Sequence, residues 1–204
     1  PVKELVGTAA GLPLLYKSPG LPPRPLQTPL SAMPHEIEKY IRDVPDFPKP
    51  GILFKDITPL LQSPEGLALA VERLATVVDP DSYDIICGIE SRGFIFGTPL
   101  AHRLNKGFVP MRKPGKLPWK VESEAYELEY GTDTLEIHTD AFEGTPRVLL
   151  VDDLLATGGT MGAALNLVRK IGGTPVACAF VLELSFLPGR DKLGDVPAHA
   201  LLTV

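Results

Sequence analysis

The segment VLLVDDLLATGGT occupies residues 148–160 and combines an apolar run, an acid pair and a glycine-rich loop. The apolar residues 148–151 predict a short buried strand that ends at Asp152 and Asp153. The loop after the acids is rich in small and hydroxyl residues and opens a helix at Thr160. A buried strand followed by a loop and a helix is typical of a parallel sheet covered by helices.

The loop has the composition of a phosphate-binding site. It consists of Ala156, Thr157, Gly158, Gly159 and Thr160. Their small side chains allow backbone N–H groups to close around a phosphate, the two threonines add hydroxyl donors, and the helix N-terminus adds a partial positive charge. No lysine follows the glycines, so the loop is not a Walker A motif.

The acid pair extends this prediction from a phosphate to a sugar phosphate. Asp152 and Asp153 follow the predicted strand, and ligands of parallel sheets bind at that end of the strands. Two carboxylates there suit the paired hydroxyls of a ribose or a bound Mg²⁺ ion. The alternative is an acidic turn that only caps a helix.

The remainder of the chain after residue 83 continues the alternation of strands and helices. The predicted strands cover residues 84–89, 107–111, 148–151 and 176–184, and the predicted helices cover residues 93–104 and 160–171. Two alternating segments around residues 131–133 predict a β-hairpin that projects from the sheet. The predicted fold class is therefore α/β, with a parallel sheet flanked by helices.

The sequence before residue 83 is less regular. Residues 34–44 have helical spacing and predict a short amphipathic helix, and residues 52–57 predict a strand after a proline-rich stretch. Ser63 followed by Pro64 predicts the N-cap of a helix that ends at about Val78.

Composition limits the classes of function. The length of 204 residues predicts one domain, and a hydrophobic fraction of 44% is typical of a globular protein and does not indicate a membrane as partner. The net charge of −5 argues against a nucleic acid as partner. Cys87 and Cys178 lie in apolar runs, which indicates reduced, buried thiols in a cytoplasmic protein. Residues 1–33 are proline-rich without periodicity, so we predict an extension outside a domain of residues 34–204. A polyproline II ligand within this extension is the alternative.

Residues 148–160 resemble the phosphoribosyl pyrophosphate signature of type I phosphoribosyltransferases. Other stretches are similar, in the same order, to the adenine-specific members of this family: PDFPKPGILFKDITPLL, ESRGFIFG, RKPGKLP, YELEYGTDTLEIH and VLELSFLPGRDKL. The resemblance covers residues 34–204. It implies the type I phosphoribosyltransferase fold, a small hood over about residues 34–62, and a homodimer.

The resemblance also implies how phosphoribosyl pyrophosphate and AMP are bound. The loop 156–160 would hold the 5′-phosphate, and Asp152 with Asp153 would hold the ribose hydroxyls and contribute to Mg²⁺ binding, which is mainly through the substrate. The cations Arg92, Arg112, Lys113 and Lys116 would belong to the same site. Arg92 would bind pyrophosphate oxygens, as would Arg112 or Lys116, from the same subunit or across a dimer interface. Family members have a cis peptide that would precede Ser91 here. Without the resemblance, Arg92 could be a structural ion-pair partner and the other three a solvated basic loop.

The base site is assigned by the same resemblance. The residues expected to contact adenine are Leu53, Phe54, Lys55 and Leu184, and those expected to act in catalysis are Glu129 and Tyr130. Glu129 would exchange a proton with the purine. Many relatives carry arginine at the position of Lys55, and lysine cannot make the same bidentate or stacking contacts. Phe54 and Leu184 could instead be core residues, and Glu129 a solvent-facing strand residue.

The implied activity is transfer of the 5-phosphoribosyl group from phosphoribosyl pyrophosphate to adenine, with AMP and pyrophosphate as products and Mg²⁺ as cofactor. This reaction serves purine salvage. Two alternatives stay open: an enzyme for hypoxanthine or guanine, and a nucleotide-sensing regulator that binds without catalysis. The regulator would usually carry a nucleic-acid-binding domain or a basic face, and this acidic chain has neither.

Overall fold

The structure, a computed structural model, describes residues 35–128 and 131–204. The predicted extension over residues 1–33 and the predicted catalytic residues Glu129 and Tyr130 therefore lie outside the described residues. The strands in these ranges are β1 (Arg42–Pro45), β2 (Leu53–Asp56), β3 (Ile85–Ile89), β4 (Gly107–Met111), β5 (Val121–Leu128), β6 (Gly131–His138), β7 (Arg147–Leu155), β8 (Thr174–Glu183) and β9 (Ala198–Thr203). The α-helices are α1 (His35–Glu38), α2 (Thr58–Gln62), α3 (Pro64–Val77), α4 (Arg92–Arg103) and α5 (Gly159–Lys170).

The main sheet is parallel and confirms the predicted fold class. Within the described part of the chain it has five strands in the order β4-β3-β7-β8-β9. The chain moves outward from β3 to β4 on one side and continues with β7 on the other. The carboxyl ends of β3 and β7 thus meet where the strand order reverses, which is where open parallel sheets bind ligands.

Both faces of the sheet are covered, which explains why its strands are apolar throughout. Ile86 and Leu149 face the side covered by α3 and α4. Cys87 and Leu150, their neighbours in sequence, face the opposite side, where α5 packs. Both cysteines of the chain, Cys87 and Cys178, are free and buried, and burial raises the pKa of each thiol.

The predicted strands and helices of the main sheet are confirmed, with one informative difference at β7. The predicted strand ended before the acid pair, whereas β7 continues through Asp152 and Asp153 to Leu155. Pairing with β8 extends over these residues, up to Leu155 opposite Glu183. The polar side chains therefore belong to the strand itself, because backbone pairing and not side-chain polarity sets its length. The edge strand β9 was not predicted from the sequence.

The start of the described chain corrects one prediction. The helix predicted over residues 34–44 is limited to α1, four residues long. Residues 42–45 instead form β1, which pairs antiparallel with β2. Pro45 disfavours helical backbone at Val44, and the pairing with β2 satisfies the strand's hydrogen bonds. The predicted helix after Ser63 is confirmed, since Ser63 Oγ accepts a hydrogen bond from the Gly66 N–H at 3.0 Å.

The predicted hairpin is present as β5 and β6, and it is longer than the sequence indicated. The segment RKPGKLP and the residues after it predict a loop through about Glu124, whereas β5 begins at Val121. β6 begins at Gly131, so residues 131–133 belong to a strand and not to the turn. The hairpin leaves the parallel sheet and lies over α5, where Leu135 and Ile137 are buried. None of the helices in the described ranges is long and apolar enough to cross a membrane.

Candidate active site

A cavity of about 230 Å³ lies at the carboxyl ends of β3 and β7; we call it the phosphate cavity. It brings together eight of the residues predicted to bind phosphoribosyl pyrophosphate: Arg92, Lys113, Asp152, Asp153, Ala156, Thr157, Gly158 and Thr160. Gly159 does not line this cavity, and a Cβ on it would point toward the carbonyl oxygen of Glu127. The sequence segments of the phosphoribosyl pyrophosphate signature and of ESRGFIFG therefore meet at one cavity.

The glycine-rich loop is shaped by contact with a second loop. Gly158 has a φ of +78°, and a Cβ on it would lie 2.1 Å from the carbonyl oxygen of Gly189. A Cβ on Gly189 would in turn lie 2.2 Å from the carbonyl oxygen of Ala156. These two backbones can approach so closely only because both positions lack a side chain. α5 then begins without a side-chain cap, so its first N–H groups are free to bind an anion.

The acid pair is held beside a guanidinium group. Asp153 is 3% exposed, and its Oδ2 lies 3.0 Å from Nε of Arg92, the first residue of α4. The next residue, Gly93, permits this approach, because a Cβ there would lie 2.6 Å from the carbonyl oxygen of Val151. Arg92 therefore has the ion-pair contact that the sequence left as an alternative.

The two acids have perturbed protonation. Burial, and then the neighbouring charge of Asp153, raise the pKa of Asp152 well above its usual value. Burial also raises the pKa of Asp153, although the charge of Arg92 opposes the change. Two adjacent carboxylates in one buried site repel each other, so a ligand that supplies hydroxyl donors or positive charge stabilises their ionised form.

Glu90 binds the basic loop, which we define as residues 112–116. Its carboxylate accepts hydrogen bonds from Arg112 Nε at 3.2 Å, from the Lys113 N–H at 2.9 Å and from Lys116 Nζ. Burial opposes ionisation, but these hydrogen bonds and the charges of Lys116 and Arg112 hold the pKa of Glu90 below its usual value. Arg112 and Lys116, which were predicted to bind pyrophosphate, thus lie on Glu90 and do not line the phosphate cavity.

A second cavity, of about 420 Å³, lies under the hood; we call it the hood cavity. It is lined by Phe54 and Phe47, whose rings meet edge to face with centroids 5.1 Å apart. Arg92 lines both cavities, so the aromatic hood cavity adjoins the phosphate cavity.

The other predicted adenine-binding residues lie elsewhere. Leu53 and Lys55 flank Phe54 on β2, and alternation along a strand turns them to the opposite face. Lys55 Nζ is 2.7 Å from Oδ1 of Asp43, its partner across the β1–β2 pair. Leu184 follows β8 and is half-buried outside the hood cavity.

Glu90, Tyr126 and Gly189 are among the residues of the site that were not assigned from the sequence. Glu90 and Tyr126 line the phosphate cavity, and Gly189 supports the glycine-rich loop from behind. Gly189 lies in the motif VLELSFLPGRDKL, which carried no chemical signal by itself. Tyr126 lies in an alternating strand, and its direction follows only from the register of β5 with β6.

The acid pair suits a Mg²⁺ ion that is bound partly by the protein and partly by the substrate. Within residues 35–128 and 131–204, no three His, Cys, Asp or Glu side chains converge as metal ligands. Asp152 and Asp153 nevertheless supply carboxylate oxygens at the cavity. Mg²⁺ is commonly held by one or two carboxylates together with substrate phosphates, and the donors present match that mode and not an all-protein cage.

Comparison with known proteins agrees with this geometry. The family model for the phosphoribosyl transferase domain matches residues 60–192. The adenine phosphoribosyltransferase of Parasynechococcus marenigrum is 58% identical over 168 residues, which cover 82% of this chain and 98% of that protein. The chain belongs to the adenine phosphoribosyltransferase family.

Solved structures of adenine phosphoribosyltransferases have the same fold. The enzyme of Thermoanaerobacter pseudethanolicus matches with a TM-score of 0.81 and 50% identity, covering 84% of this chain and 100% of that one. The enzyme of Saccharomyces cerevisiae, complexed with an imino-altritol bisphosphate and adenine, matches with a TM-score of 0.74 and 40% identity, covering 83% and 98%. The predicted family is thereby confirmed. The Glu90–Ser91 peptide is cis, as the resemblance implied.

Proposed function

We propose that the protein transfers the 5-phosphoribosyl group from phosphoribosyl pyrophosphate to adenine and releases AMP and pyrophosphate, the reaction of purine salvage. The bond from C1′ to the pyrophosphate oxygen breaks, and a bond from C1′ to a purine ring nitrogen forms. One observation carries the proposal: the phosphate cavity, with its glycine-rich loop and acid pair, adjoins the aromatic hood cavity at Arg92. The site can therefore hold a sugar phosphate and a flat base side by side.

The glycine-rich loop and acid pair would hold the ribose 5-phosphate part. The N–H groups at the start of α5 and the hydroxyls of Thr157 and Thr160 would bind the phosphate. Asp152 and Asp153 would accept hydrogen bonds from the ribose hydroxyls. This fixes C1′ between the two cavities, and such positioning supplies much of the catalysis in a displacement without a covalent intermediate.

The cations around the cavity would bind the departing pyrophosphate. Arg92 and Lys113 line the phosphate cavity already. Arg112 and Lys116 would have to exchange their contacts with Glu90 for contacts with phosphate oxygens. Mg²⁺, held by Asp152 or Asp153 and the substrate, would when bound neutralise part of the negative charge on the leaving group.

The hood cavity would hold adenine. Phe54 is placed to stack on the base, and Leu53, Lys55 and Leu184 would contact it only after movement of the hood or the loop after β8. Glu129, adjacent to the end of β5, would take the proton that the purine nitrogen loses, and Tyr130 would pack over the closed site. These roles rest on the family resemblance of YELEYGTD.

The activity is tested by supplying phosphoribosyl pyrophosphate and Mg²⁺ with adenine, hypoxanthine or guanine in separate reactions and measuring nucleotide formation. We expect AMP from adenine, little product from the other bases, and loss of product when Mg²⁺ is chelated. The Asp152→Asn, Asp153→Asn double variant should be inactive. Glu129→Gln should lower kcat far more than it weakens binding of phosphoribosyl pyrophosphate. Preferred use of another base would refute the assignment to adenine.

The proposal also covers the bounds of the catalytic domain, the cellular compartment and the oligomeric state. We place the catalytic domain at residues 34–204, a range that includes residues 60–192 matched by the family model and has about the length of the match to a curated relative, 168 residues. The free, buried thiols of Cys87 and Cys178 suit the reducing cytoplasm. A homodimer follows from the family resemblance alone, and light scattering during gel filtration would test it.

A further inference from the structure

The ammonium group of Lys113 is held at the wall of the phosphate cavity by two residues of the hairpin. Lys113 Nζ donates to the hydroxyl of Tyr126 at 2.7 Å and also to Oδ2 of Asp133. It lies 5.2 Å from the centroid of the Tyr126 ring. Lys113 and Tyr126 both line the phosphate cavity. The ammonium therefore has an acceptor, an anion and an aromatic face around it, all outside the loop that carries it.

The hairpin fixes this arrangement through its register. Tyr126 on β5 and Asp133 on β6 are directly opposite each other, and the hydroxyl of Tyr126 lies 3.3 Å from Oδ2 of Asp133. Tyr126 is 8% exposed, and Oδ1 of Asp133 accepts the Thr134 N–H at 2.7 Å. Both side chains are thus held by their own surroundings, so they can order the lysine.

Among the described residues, one N–H donor of the Lys113 ammonium group remains for a ligand. An ammonium group has three N–H donors, of which Tyr126 and Asp133 take two in the described part of the chain. The backbone N–H of Lys113 is bound separately by Glu90, which anchors the start of the side chain. Because a free lysine loses rotamer entropy when it binds an anion, a lysine that is already ordered binds the anion more tightly.

We propose that Asp133 and Tyr126 are positioning residues for pyrophosphate binding: they hold the Lys113 ammonium at the phosphate cavity with one N–H directed to a phosphate oxygen. The inference rests on the proposed function, in which the cavity receives phosphoribosyl pyrophosphate. It assigns to this hairpin a part in substrate binding separate from that of Glu129 and Tyr130.

The opposite possibility is that Asp133 competes with pyrophosphate for Lys113. A carboxylate near the cavity repels an anionic ligand, so its removal would then tighten binding. The two roles predict opposite signs for the same substitution. The sign of the change in affinity therefore decides between them.

The test is calorimetric titration of inorganic pyrophosphate, with Mg²⁺, into the protein of residues 1–204. We expect Asp133→Asn to weaken binding about threefold to tenfold, the range of one weakened charge-assisted hydrogen bond. Tyr126→Phe should weaken it less, in the same direction. In a Lys113→Met background, Asp133→Asn should cause no further weakening. Glu122→Gln is the matched control, because it removes an exposed charge from the same hairpin and should bind as the unmodified protein does.

Kinetics separate positioning from a folding defect. Asp133→Asn should raise the KM for phosphoribosyl pyrophosphate, with kcat, the KM for adenine and the Tm nearly unchanged. Tighter or unchanged pyrophosphate binding in Asp133→Asn overturns the inference. It is also overturned if the weakening persists in the Lys113→Met background, or if the unmodified protein does not bind pyrophosphate. If that protein binds pyrophosphate but makes no AMP, the proposed function fails while the titrations still decide the role of Asp133.

Discussion

At the scale of single residues, the site depends on positions where a side chain cannot be accommodated or a charge is poorly solvated. Gly158 combines a positive φ with the close approach of the Gly189 carbonyl. Asp152 combines partial burial with a second carboxylate next to it in sequence. Each feature has a measurable consequence in the protein without ligand.

Gly158→Ala should destabilise the protein and abolish activity. The added Cβ would lie 2.1 Å from a backbone oxygen, so one of the two loops must move. We expect a loss of about 3 kcal/mol or more in the free energy of unfolding, from steric conflict added to backbone strain.

Gly144→Ala is the control for Gly158→Ala, because Gly144 has a φ of +67° with nothing within 4 Å of a Cβ. It should cost only about 1 kcal/mol. Urea denaturation of both variants and an assay of AMP formation measure the difference. Equal losses in the two variants would show that contact with Gly189 is unimportant.

Asp152→Asn should stabilise the ligand-free protein while it removes activity. The raised pKa means that the folded state holds a proton more tightly than the unfolded state does. The stability of the unmodified protein should therefore fall as the pH rises from the usual carboxyl pKa through the raised value. The variant should lack this loss and be about 1 kcal/mol more stable at neutral pH. Thermal unfolding from pH 4 to 8 tests this, and a less stable variant at neutral pH would contradict it.

At the scale of elements, β8 supports the glycine-rich loop through an ion pair. Arg190 lies in a 3₁₀ turn, Gly189–Leu193, which begins with the glycine that contacts Gly158. Its Nε and Nη2 bind Glu183 at the end of β8 at 2.5 and 2.7 Å, and its Nη1 donates to the carbonyl of Ala198 at 3.1 Å. The Glu183 side chain is 8% exposed. Arg190 thus ties this turn to β8 and β9.

Arg190→Met should lower the free energy of unfolding by about 2 kcal/mol, because the buried Glu183 carboxylate would lose its charged partner. The loss is smaller than for a fully buried ion pair, because the Arg190 side chain is half exposed. The substitution should also raise the KM for phosphoribosyl pyrophosphate, since Gly189 would be less well held. Hydrogen bonds from Arg190 lower the pKa of Glu183, so this contribution is present above the usual carboxyl pKa and is lost as the pH falls through the lowered value.

Arg147→Met is the matched control for Arg190→Met. Arg147 pairs with Asp84 at 2.7 Å, but both side chains are about half exposed. We expect a much smaller loss of stability and no change in KM. Unfolding in urea at pH 7 and at pH 3, together with steady-state kinetics, measures both effects. A larger loss in Arg147→Met would contradict the account of the turn.

The elements that the sequence predicted are those whose local signals agree with their tertiary surroundings. The β3, β4, β7 and β8 strands are apolar because both faces of the sheet are covered, and α3 has its serine cap. β1 and β9 lacked such signals, since β1 is short and polar and its partner β2 follows an irregular proline-rich segment. Their pairing depends on distant residues, which local periodicity does not report.

At the scale of the whole molecule, two sequence motifs far apart in the chain form one site because β3 and β7 are neighbours. ESRGFIFG follows β3 and the acid pair lies in β7, so the reversal of strand order places Arg92 beside Asp153. The glycine-rich loop and acid pair could be predicted because each residue type has a direct chemical role. The contacts of Glu90 and Asp133 could not, because they depend on how the basic loop and the hairpin pack on the sheet.

The central claim is that the glycine-rich loop binds the phosphate of the nucleotide product while the acid pair binds its ribose. A crystal structure of the protein with AMP tests this most directly. We expect the phosphate oxygens within about 3 Å of the backbone N–H groups of residues 157–160, and the ribose hydroxyls on Asp152 and Asp153. The base should lie toward Phe54. A phosphate bound at Lys113 or in the hood cavity, with the loop free of phosphate, would contradict the account.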